Sequence, residues 1–181
     1  MITIIFEAHG TTVDNETHRA SGHFDAELSE LGIKQAKELG ERYSKENFDA
    51  VFCSDLQRSF RTAEIAFAGR NFKIIKDSRL RECDYGDLTR QPNEKVDDEK
   101  SKHIEKSFPN GESYEQTAKR MKSFLQDLLK NYKGKKVLII GHRATQYGLE
   151  RWIKGVSLKD AISAKWKWQP GWKYELEKLK E

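Results

Sequence analysis

The sequence predicts an α/β fold: one three-layer domain with helices on both faces of a mostly parallel central sheet. Short β-rich runs alternate with longer stretches whose apolar residues recur at helical spacing, the pattern of repeated strand–helix units. The 181 residues suffice for one hydrophobic core and leave little for a second. The three prolines (Pro92, Pro109 and Pro170) fall outside the patterned segments, so nothing marks a linker and 1–181 reads as one domain.

Residues 2–6 form the first β-rich run, and 10–25 are polar and turn-rich. A helix is expected over 29–46, with Ser29 as its N-cap, Leu28 and Ile33 as a hydrophobic staple, and Ala36, Leu39 and Tyr43 continuing the apolar stripe. Residues 50–53 read as a buried strand, and Ser54 or Asp55 could cap a second helix over 56–68. A third strand over 72–76 leads into a long polar excursion, 84–111. A helix over 112–132 then carries Tyr114, Ala118, Met121, Phe124, Leu125 and Leu128 on one face. Residues 136–140 make the fourth strand and 143–153 a further helix. In the tail, with Trp166, Trp168 and Trp172, residues 174–179 alternate like a closing strand.

Composition narrows the function classes. Charged residues reach 34%, but the net charge is only +4 and aromatics make up 10%, which sets the chain apart from disordered sequences. The longest aliphatic run, 137–140, is far short of a membrane span, and residues 1–6 carry no basic leader, so a soluble, cytoplasmic protein is expected. Cys53 and Cys83 suggest neither a disulfide framework nor a metal site. His18 and His23 are too loosely spaced to claim a metal, and His103 lies in a charge run. A pI near 8.9 favours anionic ligands, yet the lysines are interleaved with Glu and Asp and form no nucleic-acid-binding block. Oligomeric state stays open.

In parallel α/β sheets, ligands sit at the carboxyl ends of the strands. That rule brings together His9-Gly10, Ser54 to Arg58, Glu82 and His142, each just beyond a strand. Two histidines, an arginine and a glutamate form a phosphate-handling set. A neutral imidazole can attack phosphorus, cationic and N–H donors can hold the phosphoryl oxygens, and a carboxylic acid can protonate the leaving oxygen.

These residues resemble the motifs of the histidine phosphatase superfamily, the phosphoglycerate-mutase-like fold. His9-Gly10-Thr11 is similar to the end of its Arg-His-Gly signature, Asn15 lies at its phosphate-contacting Asn, and Ser21-Gly22 with 25–32 resembles the approach to its first helix. Ser54-Asp55-Leu56-Gln57-Arg58 with Thr62-Ala63 is similar to the second motif. Leu80-Arg81-Glu82 before Tyr85-Gly86-Asp87 resembles the proton-donor segment, Pro109 to Ser113 a loop-to-helix entry, and 138–142 the strand leading to the second histidine. The resemblance implies a phosphomonoesterase that acts on a small phosphorylated metabolite without metal or other cofactor. It implies His9 as the nucleophile and Glu82 as proton donor, with Arg58, His142 and Asn15 on the phosphoryl oxygens. Gly10 would permit a tight exit from the strand, and its carbonyl could take the other imidazole proton. A phosphoglycerate-mutase-type transfer is the enzymatic alternative.

The departure lies immediately before the first histidine, where the family pattern has arginine and this chain has Ala8. Losing one preorganised donor costs about 10² to 10³ in rate. Three readings follow: another arginine supplies the charge, the enzyme is slow or differently selective, or the protein binds phosphate without turning it over. Arg143, directly after His142, is the first candidate for the replacement; Arg19 and Arg61 are weaker ones.

Overall fold

The computed structural model describes residues 1–181 and contains one five-stranded sheet. In chain order the elements are β1 (Ile2–Ala8), α1 (Val13–Glu16), α2 (Glu30–Arg42), β2 (Ala50–Cys53), α3 (Gln57–Ala66), β3 (Ile74–Lys76) and α4 (Asn93–Glu99). They continue with α5 (Tyr114–Asn131), β4 (Lys136–Gly141), α6 (Arg143–Leu149), α7 (Leu158–Ser163) and β5 (Trp172–Leu176). Strands run in the order β3-β2-β4-β1-β5; the first four are parallel and β5 is antiparallel to β1.

The alternation of β4 shows how the layers form. Val137 and Ile139 face one side of the sheet, where they meet Met121, Phe124 and Leu125 of α5 with residues of α6 and α7. Leu138 and Ile140 face the other side and pack with Leu39 of α2 and Ala63 and Ala66 of α3. A central strand covered on both faces is continuously apolar, which is why 137–140 reads as an unbroken aliphatic run.

Several expectations need correction. The turn-rich stretch 10–25 contains α1, closed by a reciprocal capping box between Thr12 and Asn15. The excursion 84–111 contains α4 and two 3₁₀ turns, Gly86–Leu88 and Lys100–His103. Its two ends meet, since the amide of Glu112 donates to the Asp84 carbonyl at 2.9 Å. Ser29 caps α2 as expected, but Ile33 is 39% exposed and the buried stripe is Gly32, Ala36 and Leu39. Neither Ser54 nor Asp55 caps α3. Its Gln57 amide donates instead to Asp25 Oδ1, 32 residues away, at 2.7 Å. The closing strand begins two residues earlier than its alternation suggests because Trp172 pairs with Phe6. A π-helical turn, Glu150–Lys154, continues α6 until Gly155 in a left-handed conformation ends it.

The first turn of α2 lies against the loop that leaves β1. A Cβ at Gly10 would stand 2.6 Å from the Gly32 carbonyl oxygen, and one at Gly32 would stand 2.0 Å from the Thr11 carbonyl oxygen. Close backbone approach, and not freedom at a tight exit, accounts for glycine at position 10. Gly32→Ala should therefore lower unfolding stability by roughly 1 to 3 kcal/mol, the usual range for overpacking. Urea denaturation measures it, and an unchanged midpoint would show that α2 is not held against this loop.

Candidate active site

The parallel strands end on one edge, and the residues just beyond them line a cavity of about 610 Å³. His9 follows β1, and its own amide donates to the Gly141 carbonyl at 3.1 Å, so the ladder extends one residue past the strand. Its Nδ1 lies 2.7 Å from the Gly10 carbonyl oxygen. A carbonyl only accepts, so Nδ1 carries the proton and the neutral ring presents Nε2 with a free lone pair. Burial pushes the imidazole pKa down to about 3; the Arg58 charge acts in the same direction, and the bond to Gly10 opposes it.

His142 caps α6, and its ring centroid is 5.0 Å from that of His9. Its Nε2 is hydrogen-bonded to Ser54 Oγ at 2.7 Å, just beyond β2. Its Nδ1 is buried with no hydrogen-bond partner. Burial, followed by the Arg58 and His9 charges, holds this imidazole well below its ordinary value.

Arg58 on α3 is only 2% exposed, so it does not lie on a solvated helix face. Its guanidinium donates to the Phe24 carbonyl at 2.9 Å and the Gly22 carbonyl at 2.7 Å, tying the 21–25 turn to the cavity floor. Desolvation lowers its pKa, and the charge of Glu82 opposes this most strongly. Glu82 is also buried. Its Oε1 accepts from the amides of Cys83 (2.8 Å) and Ala144 (3.2 Å), and Oε2 from that of Arg143 (3.2 Å), so the carboxyl group faces the first turn of α6.

Asn15 lines the cavity, with its Oδ1 accepting from the Thr12 amide at 3.0 Å and its side-chain NH₂ left to donate. Gly10 donates its amide to Thr62 Oγ1 at 3.0 Å. Arg143 lines the same cavity with its guanidinium over the Trp166 ring, 5.0 Å from the centroid. Trp166 is itself fixed by its indole N–H to Gln146 Oε1 at 3.1 Å. Arg19 also reaches the lining, whereas Arg61 pairs with Glu64 on the surface at 2.7 Å.

Two groups were not expected from sequence. Glu7, 1% exposed, accepts from Tyr43 Oη at 2.7 Å and pairs with Arg42 at 3.2 Å beside the Trp-bearing tail; burial raises its pKa while Tyr43 and Arg42 oppose. An acidic residue at an inward β1 position was the available signal. His103, expected in a solvated run, is 7% exposed and stacks on Phe108 with centroids 4.1 Å apart.

Comparison with known proteins identifies the family. Phosphoserine phosphatase 1 of Hydrogenobacter thermophilus is 32% identical over 167 residues, covering 87% of this chain and 79% of that protein. An uncharacterized phosphatase of Bacillus subtilis, PhoE, is 30% identical over 155 residues, with coverages of 86% and 79%. A probable phosphoglycerate mutase of Yersinia enterocolitica, GpmB, is 29% identical over 150 residues, covering 78% and 70%. Among solved structures, Bacillus stearothermophilus YhfR superposes with a TM-score of 0.86 at 26% identity, over 99% of this chain and 95% of that one. The sequence profile of the histidine phosphatase superfamily, branch 1, matches residues 4–169, a span that includes His9, Arg58, Glu82 and His142. The chain belongs to the histidine phosphatase superfamily.

Proposed function

We propose that the protein is a phosphomonoesterase for a small phosphorylated metabolite, working through a phosphohistidine on His9. The bond from Nδ1 to the Gly10 carbonyl carries this reading, because it fixes the tautomer whose Nε2 lone pair is free to attack. The Nε2–P bond forms as the P–O bond to the alcohol breaks, and Glu82 gives its proton to the departing oxygen. Water then attacks the phosphohistidine, the Glu82 carboxylate takes its proton, and inorganic phosphate leaves. Arg58, Asn15 and the unpartnered Nδ1 of His142 supply donors for the phosphoryl oxygens.

Arg143 takes the place of the cation missing at position 8. Ala8 pairs with Gly141, a methyl group beside a residue that has no side chain, and Arg143 starts two residues beyond. Residues 84–111 contribute Tyr85, Asn93, Val96 and Asp97 to the cavity and no lysine or arginine, which favours hydrolysis over a mutase that must hold a second phosphate. The relatives named as phosphatases support the same choice. Ala8 favours one second reading, phosphate binding with little turnover.

Hydrolysis of p-nitrophenyl phosphate in the presence of chelator tests the first reading. Turnover should fall by at least about 10³-fold in His9→Ala. Binding of inorganic phosphate without turnover of this or of sugar and glycerate phosphates would establish the second reading. Arg143→Ala should lose about 10²-fold in kcat/KM while Arg61→Ala stays near wild type. Equal constants for the two variants would remove Arg143 from the site.

Because both imidazoles are held below their ordinary pKa, the unfolded chain takes up protons that the native fold refuses. Stability from this source is present above about pH 6.5 and is lost as pH falls below it, for His9 over the range down to about 3. NMR of the imidazole resonances should show no titration of His9 or His142 between about pH 5 and 8. A midpoint near 6.5 for either would overturn the account of their burial.

A further inference from the structure

We propose that Arg120 and His23 are positioning residues for the proton donor, acting through the backbone of Glu82; this rests on the reading of Glu82 as the acid. Glu82 has no regular element of its own. It lies between a 3₁₀ turn, Ser78–Leu80, and another at Gly86–Leu88, in a stretch whose carbonyls have no strand partner. An irregular segment would leave the carboxyl group loosely placed unless its backbone were bonded from outside.

Arg120 on α5 supplies that bonding. One guanidinium nitrogen donates to the carbonyls of Arg79 and Arg81, both at 2.8 Å, and a second donates to the carbonyl of Glu82 at 2.8 Å. The remaining N–H groups meet Glu112, from Nε to Oε1 at 3.0 Å and from Nη2 to Oε2 at 2.8 Å. Glu112 in turn accepts from the Asp84 amide at 3.1 Å, so the backbone is held on both sides of Glu82. His23 reaches the same peptide and lies beside the same carboxylate, its Nε2 3.6 Å from Glu112 Oε2. Its Nε2 lies 2.8 Å from the same Glu82 carbonyl oxygen and must be the donor, since a carbonyl only accepts.

The Glu82 peptide is thus bonded from α5 and from the 21–25 turn, while the carboxyl group is bonded by the first turn of α6. Arg120 and His23 are only 18% and 26% exposed in their side chains. Neither lines the cavity, so substrate contact does not account for them. The planar fork of arginine is the feature that serves several carbonyls and a carboxylate at once, which a lysine ammonium cannot reproduce.

Leaving-group chemistry separates this role from a general structural one. Hydrolysis of an alkyl phosphate needs a proton on the departing oxygen, whereas p-nitrophenolate leaves readily without one. Glu82→Gln should therefore lose about 10² to 10⁴ in kcat/KM, which ends at formation of the phosphohistidine and so leaves out the shared hydrolysis step, on glycerol phosphate and much less on p-nitrophenyl phosphate. Arg120→Lys and His23→Ala should show the same selective pattern at smaller size, about 10-fold to 10²-fold in kcat/KM on the alkyl ester. His23→Gln, which keeps a donor, should recover part of the loss. Equal losses on both substrates, or none, in the Arg120 and His23 variants beside a selective Glu82→Gln would overturn the positioning role alone. An unselective Glu82→Gln would instead remove Glu82 as the acid and the proposal with it. His23→Ala keeps the test open if Arg120→Lys fails to fold.

Discussion

The parallel pairing of β1 with β4 delivers two imidazoles to one point. Ala8 lies opposite Gly141, the His9 amide extends the ladder to the Gly141 carbonyl, and His142 follows one residue later as the cap of α6. Neighbouring strands are about 4.8 Å apart, so the 5.0 Å between the rings is in effect the sheet spacing carried into the side chains. No loop has to close to bring the histidines together. The outer elements adjust what surrounds them: α3 brings Arg58, α6 meets Glu82 with its amides, and the tail before β5 brings Trp166 and Trp168.

That placement has an electrostatic consequence. Burial, with the Arg58 charge close by, disfavours a protonated imidazole, and both histidines stay neutral. Neutrality is what a nucleophile requires, and for His142 it leaves a buried nitrogen unsatisfied. On the proposed function, the donors of the site and its one deeply buried guanidinium would hold a phosphoryl group.

The sheet was legible because its strands alternate or run continuously apolar and its long helices carry a clear stripe, as α5 does from Tyr114 to Leu128. The strand-end rule brought His9, Arg58, Glu82 and His142 to one edge, as the structure has them. Contacts between residues distant in sequence were not legible. Asp25 capping α3, Ser54 bonded to His142, Gly10 against Gly32 and Arg120 behind Glu82 all depend on the path of the chain in space. Short helices such as α1 and α4 escaped because four to seven residues hold too little periodicity to register, and the cap of α1 is written in only Thr12 and Asn15. His103 misled for another reason: its neighbours in sequence are charged and exposed while its ring lies on Phe108.

The two bonds that Arg58 donates to the Gly22 and Phe24 carbonyls also bear on affinity. A free arginine side chain has about 2 kcal/mol of rotamer entropy to lose when it is ordered. Here that loss has already been taken in folding, by a side chain only 2% exposed and bonded to two carbonyls. On the proposed function, a phosphate would meet a guanidinium that is already ordered. Arg143, half-buried and resting on an indole face, keeps more of its freedom and would surrender it on binding. The two arginines would then divide the work by timing: one ordered before the ligand comes, the other ordered by it.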